Sequence, residues 1–374
     1  MSTATSYLPQ NKTVADAAPY AHVAPNRSLT ADILKGWLIL LVVFGHALQF
    51  ILYSGSDQFW FDPIFQTIYM AHMPLFMAIS GYFSPQVPTG IQGRRRIGQL
   101  LLPMLTWSII ATTLMVMMGS RRSPFPMLKS TFATTYWFLW ALILSLLWVW
   151  AIDKLRQRMF SSEAAGDRFE ALSAAVFVLL AGLSGPLWPE VLPLTGFVLP
   201  FFVAGRIVRR RSLDLRQLPI WLWLGVIVVF GVAHWAWQQE SYIYVNGLRL
   251  LDHSGQIALM FLGSASASLI GLALALAVAG KLAPRAIGRM LATLGQISLQ
   301  IYLAQRVVFL GLSVLSLREG WFGQLPYTLQ VALCAAVTAA LVAVIFGAAR
   351  ISARLPLADR LLWGRGGSAA KAAG

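Results

Sequence analysis

The sequence predicts an all-α, polytopic membrane protein with about ten transmembrane helices and both termini in the cytoplasm. Of its 374 residues, 57% are hydrophobic and 11% are charged, whereas soluble domains contain about 25% charged residues. The apolar residues are gathered in runs of about 20, the length that crosses a hydrocarbon layer about 30 Å thick. Short polar loops separate these runs, so we expect most of the surface to face lipid.

The predicted transmembrane domain covers residues 31–349 and lies between two polar segments. Residues 1–30 lack the basic-then-apolar order of a secretory signal, and we predict a disordered cytoplasmic tail there. Residues 350–374 are predicted to form a basic cytoplasmic tail. Breaking the apolar runs at charges, prolines and glycines gives ten helices, at residues 33–52, 64–83, 97–118, 137–152, 171–188, 191–206, 219–237, 256–280, 288–313 and 327–348.

The lysines and arginines predict the orientation of these helices. Most of them fall on one set of alternating loops, and the net charge is +15. Cytoplasmic loops carry the excess of basic residues, so both termini are expected on the cytoplasmic side. Because the charge is scattered over short loops rather than gathered on one face, it favours topology signals over nucleic-acid binding.

The first predicted helix, in "DILKGWLILLVVFGH", carries a lysine and a histidine on one face. Lys35 and His46 are eleven positions apart, which at about 100° per residue is nearly three turns and about 16 Å along the axis. One interpretation is a cationic anchor at the cytoplasmic mouth and a proton-transfer group deeper in the membrane. The other is a lysine that snorkels to lipid headgroups and a histidine bonded to a neighbouring helix.

Among the other ionisable side chains within predicted helices, His72 and Arg306 are candidates for chemistry. His72 is expected at a depth similar to His46, since the first two helices run in opposite directions. Paired imidazoles can take a proton from a hydroxyl near neutral pH, which suits acyl transfer to an alcohol; the alternative is a helix-to-helix hydrogen bond. Arg306 lies near the outer end of the ninth helix, where it could bind an anion, an oxyanion or a sugar hydroxyl, or snorkel to headgroups.

Arg94, Arg95 and Arg96, directly before "IGQLLLPMLTW", form the densest basic run beside an apolar span. One interpretation is that they anchor the helix on the cytoplasmic side, where basic residues are in excess. The other is that they bind a phosphate-rich ligand that approaches from the cytoplasm. The spans contain no Gly-rich phosphate loop, zinc-ligand spacing or nucleophile elbow. With the single cysteine Cys334, the sequence favours neither a disulfide nor a bound metal.

Five segments of the chain together resemble one known family. They are "DILKGWLILLVVFGH", "HMPLFMAISGYF", "RRRIGQLLLPMLTW", "YWFLWALIL" and "LGQISLQIYLAQ". In this order they are similar to the motifs of the integral-membrane acyltransferases of family 3, particularly the polysaccharide and sugar O-acetylase branch, over about residues 29–347. The chain departs from the pattern at Gln305, where the late motif of the family often ends in histidine.

The resemblance implies O-acyl transfer from cytoplasmic acetyl-CoA, without a metal, to a sugar hydroxyl. It implies that His46 is the general base, and His72 is a second candidate catalytic residue. Lys35 and the arginines 94–96 are expected to hold the phosphates of acyl-CoA. Trp137, in the fourth motif, and Arg306 are expected to hold the acceptor or the developing oxyanion.

We therefore expect a multipass enzyme of the bacterial inner membrane that acetylates a cell-surface or exopolysaccharide sugar. Its expected partners are acyl-CoA, membrane lipid and a sugar or lipid-linked glycan acceptor, with polysaccharide-assembly proteins as further candidates and no nucleic acid. A multipass glycan transporter or flippase is the main alternative, although no internal repeat stands out. A glycan polymerase is a weaker alternative, because it would typically need a large outer loop.

Overall fold

The computed structural model describes residues 28–84, 90–183, 190–313 and 321–364, and these form α-helices without a β-strand. The predicted all-α class is confirmed. Of the two predicted tails, residues 1–27 and 365–374 lie outside the described part of the chain. The helices are α1 Leu29–Ala47, α2 Pro63–Tyr82, α3 Gly90–Met117, α4 Pro124–Ser130, α5 Trp137–Met159, α6 Glu163–Leu183, α7 Val191–Arg210, α8 Ile220–Ala236, α9 Ile243–Asn246, α10 Leu250–Leu282, α11 Ala286–Gln296, α12 Ser298–Ser313, α13 Tyr327–Ser352 and α14 Pro356–Trp363.

Each predicted span overlaps helical structure within the described residues, with residues 184–188 of the fifth span lying outside them, and the ninth span is interrupted. The span at 288–313 consists of α11 and α12, which are separated by Ile297 with φ −105° and ψ 17°. Within the described residues, six helices are long and apolar enough to cross a bilayer: Leu29–Leu52, Gly93–Met117, Trp137–Met159, Val191–Arg210, Leu250–Leu282 and Tyr327–Ser352. The chain is therefore a multipass membrane protein, while ten crossings and cytoplasmic termini stay predictions.

Asp62 joins the ends of three helices at the predicted outer side. Its side chain caps α2 by accepting a hydrogen bond from the backbone N–H of Phe65 at 2.8 Å. The hydroxyls of Tyr53, just after α1, and Tyr327, at the start of α13, donate to the same carboxylate at 2.8 Å and 2.7 Å. A buried carboxylate is stable only with such partners, so Asp62 holds these three ends in one arrangement.

The α1–α11 and α2–α7 pairs make the most extensive helix contacts. Between α1 and α11 the backbones touch at two glycines. A Cβ on Gly36 would overlap the carbonyl oxygen of Leu291, and a Cβ on Gly295 would overlap that of Asp32. Small residues allow this close approach between helices in a membrane. The contact fixes the end of α1 that carries Lys35.

Arg206, in α7, is the centre of a buried ion network. It is fully buried and donates to Glu170 of α6 at 2.7 Å, Asp153 of α5 at 2.6 Å and the backbone carbonyl of Ser84 at 2.7 Å. Arg210, one turn later, donates to the same Glu170. Charges are taken out of water at an acceptable cost only when paired and hydrogen-bonded in this way. The network joins α5, α6 and α7 to the end of α2.

The C-terminal part of the described chain is helical and packed. α13 continues to Ser352, and α14 then packs against α3. Both the end of α13 and all of α14 fall within the segment 350–374 that the sequence predicts as a basic tail. Trp363 at the end of α14 is 3% exposed, so this part of the segment belongs to the folded core.

Candidate active site

Two adjoining cavities lie inside the helical bundle. The His46 cavity has a volume of about 370 Å³ and the Lys35 cavity about 450 Å³, and both volumes are typical of sites for small ligands. Val42, Met73 and Tyr302 line both cavities. These three side chains therefore form the boundary between the two spaces.

The His46 cavity contains four of the residues that the sequence singles out. His46 of α1, His72 of α2, Trp137 of α5 and Arg306 of α12 all line it. They come from four helices that are far apart in the sequence. Among the described residues, no aspartate or glutamate lines this cavity, so its ionisable groups are two imidazoles, a guanidinium and tyrosine hydroxyls.

His46 is half-buried and is held by an amide and two aromatic rings. Its Nδ1 lies 3.2 Å from Oε1 of Gln305, and its ring centroid lies 5.8 Å from that of Phe50 and 6.1 Å from that of Phe309. With Oε1 as the acceptor, Nδ1 carries the hydrogen and Nε2 keeps its lone pair. The arrangement makes Nε2 the ring nitrogen that can accept a proton.

His72 is buried and has one defined hydrogen bond. Its Nδ1 lies 2.6 Å from the backbone carbonyl oxygen of Ile68, one turn earlier in α2. A carbonyl oxygen only accepts hydrogen bonds, so Nδ1 is the donor and the lone pair of the neutral ring is at Nε2. His72 therefore also offers an acceptor nitrogen.

Arg306 and Gln305 belong to one face of α12. The guanidinium of Arg306 lies 5.2 Å from the ring centroid of Phe50. Tyr302, Gln305, Arg306 and Phe309 all line the His46 cavity, and their spacing of three or four residues is that of neighbours on a helix surface. This spacing is visible in the sequence and could have predicted Tyr302, Gln305 and Phe309 as members of the site.

Two π-helical turns flank the His46 cavity. Leu48–Leu52 directly follows α1 and supplies Gln49 and Phe50, while Thr131–Thr135 precedes α5 and supplies Thr134 and Thr135. Such turns insert one residue into a helix, redirect its side chains and are frequent at functional sites. The sequence does not predict these turns, because hydrophobic periodicity does not distinguish a π-turn from an α-helix.

Aromatic side chains from segments between the predicted spans complete the His46 cavity. Trp60 and Tyr244 line it, although neither lies in a predicted span. The ring of Tyr244 packs 5.6 Å from that of Trp137. A tyrosine hydroxyl is neutral near pH 7, so that of Tyr244 can donate a hydrogen bond. No sequence pattern indicated these two residues, since only folding brings the segments between the predicted spans to the site.

The Lys35 cavity contains two of the four predicted cationic residues. Lys35 and Arg96 line it, whereas Arg94 and Arg95 are not among its lining residues; all three arginines are partly open to the surroundings. The ammonium of Lys35 lies 5.3 Å from the ring centroid of Phe83, and Nη2 of Arg96 donates to Oγ of Ser84 at 3.4 Å. The cavity thus presents two positive charges beside apolar and neutral polar walls.

Neutral polar groups of the Lys35 cavity come from the break between α11 and α12. Gln296, Ser298 and Gln300 line the cavity on either side of Ile297. In the described part of the chain, no group of three His, Cys, Asp or Glu side chains is placed to hold a metal ion. The chemistry available in the two cavities is therefore that of imidazoles, cations, hydroxyls and amides.

Comparison with known proteins gives one family and two relatives. Residues 29–347 match the family model described as an acyltransferase domain. A protein of Sinorhizobium fredii named Nodulation protein NolL is 31% identical over 339 residues, which are 86% of this chain and 89% of that protein. A protein of the same name from Mesorhizobium japonicum is 31% identical over 312 residues, 79% of this chain and 80% of that protein. No solved structure matches the chain.

Proposed function

This chain belongs to family 3 of the integral-membrane O-acyltransferases, and on that basis we propose that it transfers an acetyl group from cytoplasmic acetyl-CoA to a hydroxyl of a cell-surface or exopolysaccharide sugar. The observation that carries the proposal is the pair of adjoining cavities. One contains two cations and the other two histidines, and Val42, Met73 and Tyr302 line both. A donor and an acceptor can therefore enter separate spaces and meet at this boundary.

The Lys35 cavity is the proposed donor site. Lys35 and Arg96 line it and would bind the phosphates of acetyl-CoA, because charge-assisted hydrogen bonds to phosphate are strong and directional. Lys35 and His46 are eleven positions apart on one helix, or about 16 Å. The thin arm of the donor would follow this helix and bring its thioester to the boundary with the His46 cavity.

His46 is the proposed general base. Its Nε2 would take the proton of the acceptor hydroxyl while the hydroxyl oxygen attacks the thioester carbonyl carbon. When the carbon–sulfur bond breaks, His46 would return that proton to the departing sulfur, so that the products are the acetyl ester and CoA. Gln305, at 3.2 Å from Nδ1, would keep the ring oriented. His72 offers a second acceptor nitrogen, which would orient the acceptor.

Cationic and aromatic groups of the His46 cavity would stabilise the reacting groups. Arg306 and Trp137 carry N–H donors and line the cavity, so they would hold the oxyanion that develops at the carbonyl or a hydroxyl of the sugar. The rings of Trp60 and Tyr244 supply flat apolar faces beside polar groups. A sugar ring, with apolar C–H faces and polar edges, fits such a lining.

We infer a location in a bacterial inner membrane with the His46 cavity toward the periplasmic side. The lysine and arginine distribution supports cytoplasmic termini, which puts Lys35 near the cytoplasm and His46 in the outer half. The acceptor would then be a lipid-linked or surface glycan that is presented outside the cytoplasm. Polysaccharide-assembly proteins are the expected neighbours in the membrane.

The proposal is tested by transfer of label from radioactive acetyl-CoA to lipid-linked glycan acceptors, with purified protein in nanodiscs. The His46→Ala variant should lose at least about 100-fold in rate, since a positioned base contributes about 10²- to 10⁴-fold, while its affinity for acetyl-CoA is retained. His253→Ala is the matched control, because His253 lines neither cavity and should keep full activity.

Two results would contradict the proposal in different ways. Unchanged transfer by a folded His46→Ala variant would exclude His46 as the base. Movement of intact glycan across vesicles without consumption of acetyl-CoA would instead favour the alternative of a glycan transporter or flippase. Loss of transfer in His46→Ala together with normal donor binding would support both the reaction and the assigned base.

A further inference from the structure

A segment outside the matched family domain forms part of the wall of the Lys35 cavity. The family match ends at residue 347, whereas α14 begins at Pro356. Trp363, the last residue of α14, and Gly364 line the cavity together with Lys35 and Arg96. Removing this segment would therefore open the proposed donor site on one side.

Two tryptophans hold α14 in this position. Nε1 of Trp107, in α3, donates to the carbonyl oxygen of Leu362 at 2.8 Å. Nε1 of Trp363 donates to Oγ of Ser352, at the end of α13, at 2.5 Å, and the two indole rings lie 5.3 Å apart. Both indole N–H groups are thus satisfied while their rings are packed. These contacts make the wall a specific structure rather than a loosely placed tail.

Gly364 brings the backbone of the segment against α3. It ends α14 in the left-handed conformation, with φ 69° and ψ 10°, which glycine adopts without a steric penalty. A Cβ at this position would overlap the carbonyl oxygen of Gln99 and would lie 3.0 Å from Cγ of Pro103. Gln99 follows Arg96 by three residues, about one helical turn, and both line the cavity.

We propose that α14 and Gly364 are part of the acyl-CoA site, where they close the cavity around the donor and fix the turn of α3 that carries Arg96. This inference rests on the proposed function, and it adds a binding element that lies beyond the matched domain. The segment acts on donor affinity. It lies away from His46, Gln305 and Arg306, which line the other cavity, so it should leave acceptor binding unaffected.

The test uses the full-length protein in nanodiscs. Calorimetry measures the Kd for acetyl-CoA, and steady-state kinetics measure the KM for each substrate. Gly364→Val should raise the Kd and the KM for acetyl-CoA at least tenfold and leave the KM for the glycan acceptor unchanged. Gly55→Val is the matched control. Gly55 has a similar φ of 73° but open space around its Cβ, so this variant carries the backbone strain without the overlap and should bind acetyl-CoA normally.

A second variant keeps the inference testable if Gly364→Val does not fold. Ser352→Ala removes the acceptor for the Trp363 indole and a hydroxyl that donates to the backbone carbonyl of Ala349. It should raise the Kd for acetyl-CoA several-fold, and its thermal melting profile should still show a folded protein. If folded Gly364→Val and Ser352→Ala both bind acetyl-CoA with wild-type affinity, the role of α14 is refuted, but the proposed function is not. Failure of the wild-type protein to bind acetyl-CoA would overturn the proposed function, and the inference with it.

Discussion

The hydrogen bonds of His46 and His72 determine which ring nitrogen each presents to the cavity. For His72 the partner is a backbone carbonyl, so the donor must be Nδ1. For His46 the partner is the amide of Gln305, which has both an acceptor oxygen and a donor nitrogen. The orientation of one amide therefore decides whether Nε2 of His46 can accept a proton. Since Gln305 is neutral, it orients the ring without supplying a charge.

Gln305 is expected to act on turnover rather than on donor binding. Gln305→Leu removes the acceptor of Nδ1–H and should lower kcat about tenfold, the equivalent of about 1.4 kcal/mol, which is the size of one hydrogen bond. The KM for acetyl-CoA should not change, because Gln305 does not line the Lys35 cavity. Steady-state kinetics of the purified variant measure both constants.

A histidine at position 305 tests whether Gln305 positions His46 or only supports the fold. Gln305→His, the residue that the late motif of the family often has, supplies a ring nitrogen that can accept from Nδ1–H and should keep most of the activity. Equal loss of kcat in the leucine and histidine variants, or a rise in the KM for acetyl-CoA in either, would be inconsistent with a positioning role.

The three consecutive arginines should contribute unequally to donor binding. Only Arg96 lines the Lys35 cavity, so Arg96→Ala should raise the KM for acetyl-CoA about tenfold, as expected for one hydrogen bond to a charged group. Arg94→Ala is the control from the same helical turn, and because this side chain does not line the cavity it should change this KM little. The KM for the acceptor should stay constant in both variants. Equal effects of the two substitutions would refute the assignment.

At the scale of the helix, α12 runs along both cavities. Its first turn supplies Ser298 and Gln300 to the Lys35 cavity, and its later turns supply Gln305 and Arg306 to the His46 cavity. Tyr302, between them, lines both. The helical geometry is interrupted at Ile297, and α11, which packs closely on α1, adds Gln296 to the Lys35 cavity.

The close contact of α1 with α11 should be sensitive to one added methyl group. In Gly36→Ala the new Cβ would overlap the backbone of Leu291, and overpacking of this kind costs about 1–3 kcal/mol. We expect the melting temperature of the purified protein to fall by several degrees. Gly225→Ala is the matched control, because Gly225 of α8 has open space around its Cβ and alanine favours a helix. A melting temperature of Gly36→Ala equal to that of the control would show that the contact relaxes freely.

At the scale of the whole molecule, the proposed reaction requires one orientation in the membrane, with the Lys35 cavity toward the cytoplasm and the His46 cavity toward the periplasm. The single cysteine Cys334 is buried, so Cys334→Ala provides a background for labelling. In this background Gln58→Cys should react with a membrane-impermeant maleimide in intact cells, and Ser162→Cys should react only after the membrane is opened. Both positions are exposed. The reverse pattern of labelling would place the His46 cavity on the cytoplasmic side and exclude the proposed route of the donor.

The sequence alone was sufficient to predict the helical membrane fold and several of the residues that line the two cavities. Helices cross lipid because all their backbone groups bond internally, so apolar length predicts them directly, and Lys35, His46, His72 and Arg306 stand out as ionisable residues inside apolar runs. The resemblance to the family added Trp137. These residues are all found in the two cavities.

Tertiary structure alone decided which of these residues share a cavity. It divided the arginine cluster, so that Arg96 lines the Lys35 cavity and its two neighbours do not. It brought Trp60 and Tyr244 from segments between the predicted spans to the His46 cavity, and Trp363 from beyond the matched domain to the Lys35 cavity. The physical reason is that hydropathy reports how favourably each segment enters lipid, whereas a cavity wall depends on contacts between segments that are distant in the sequence.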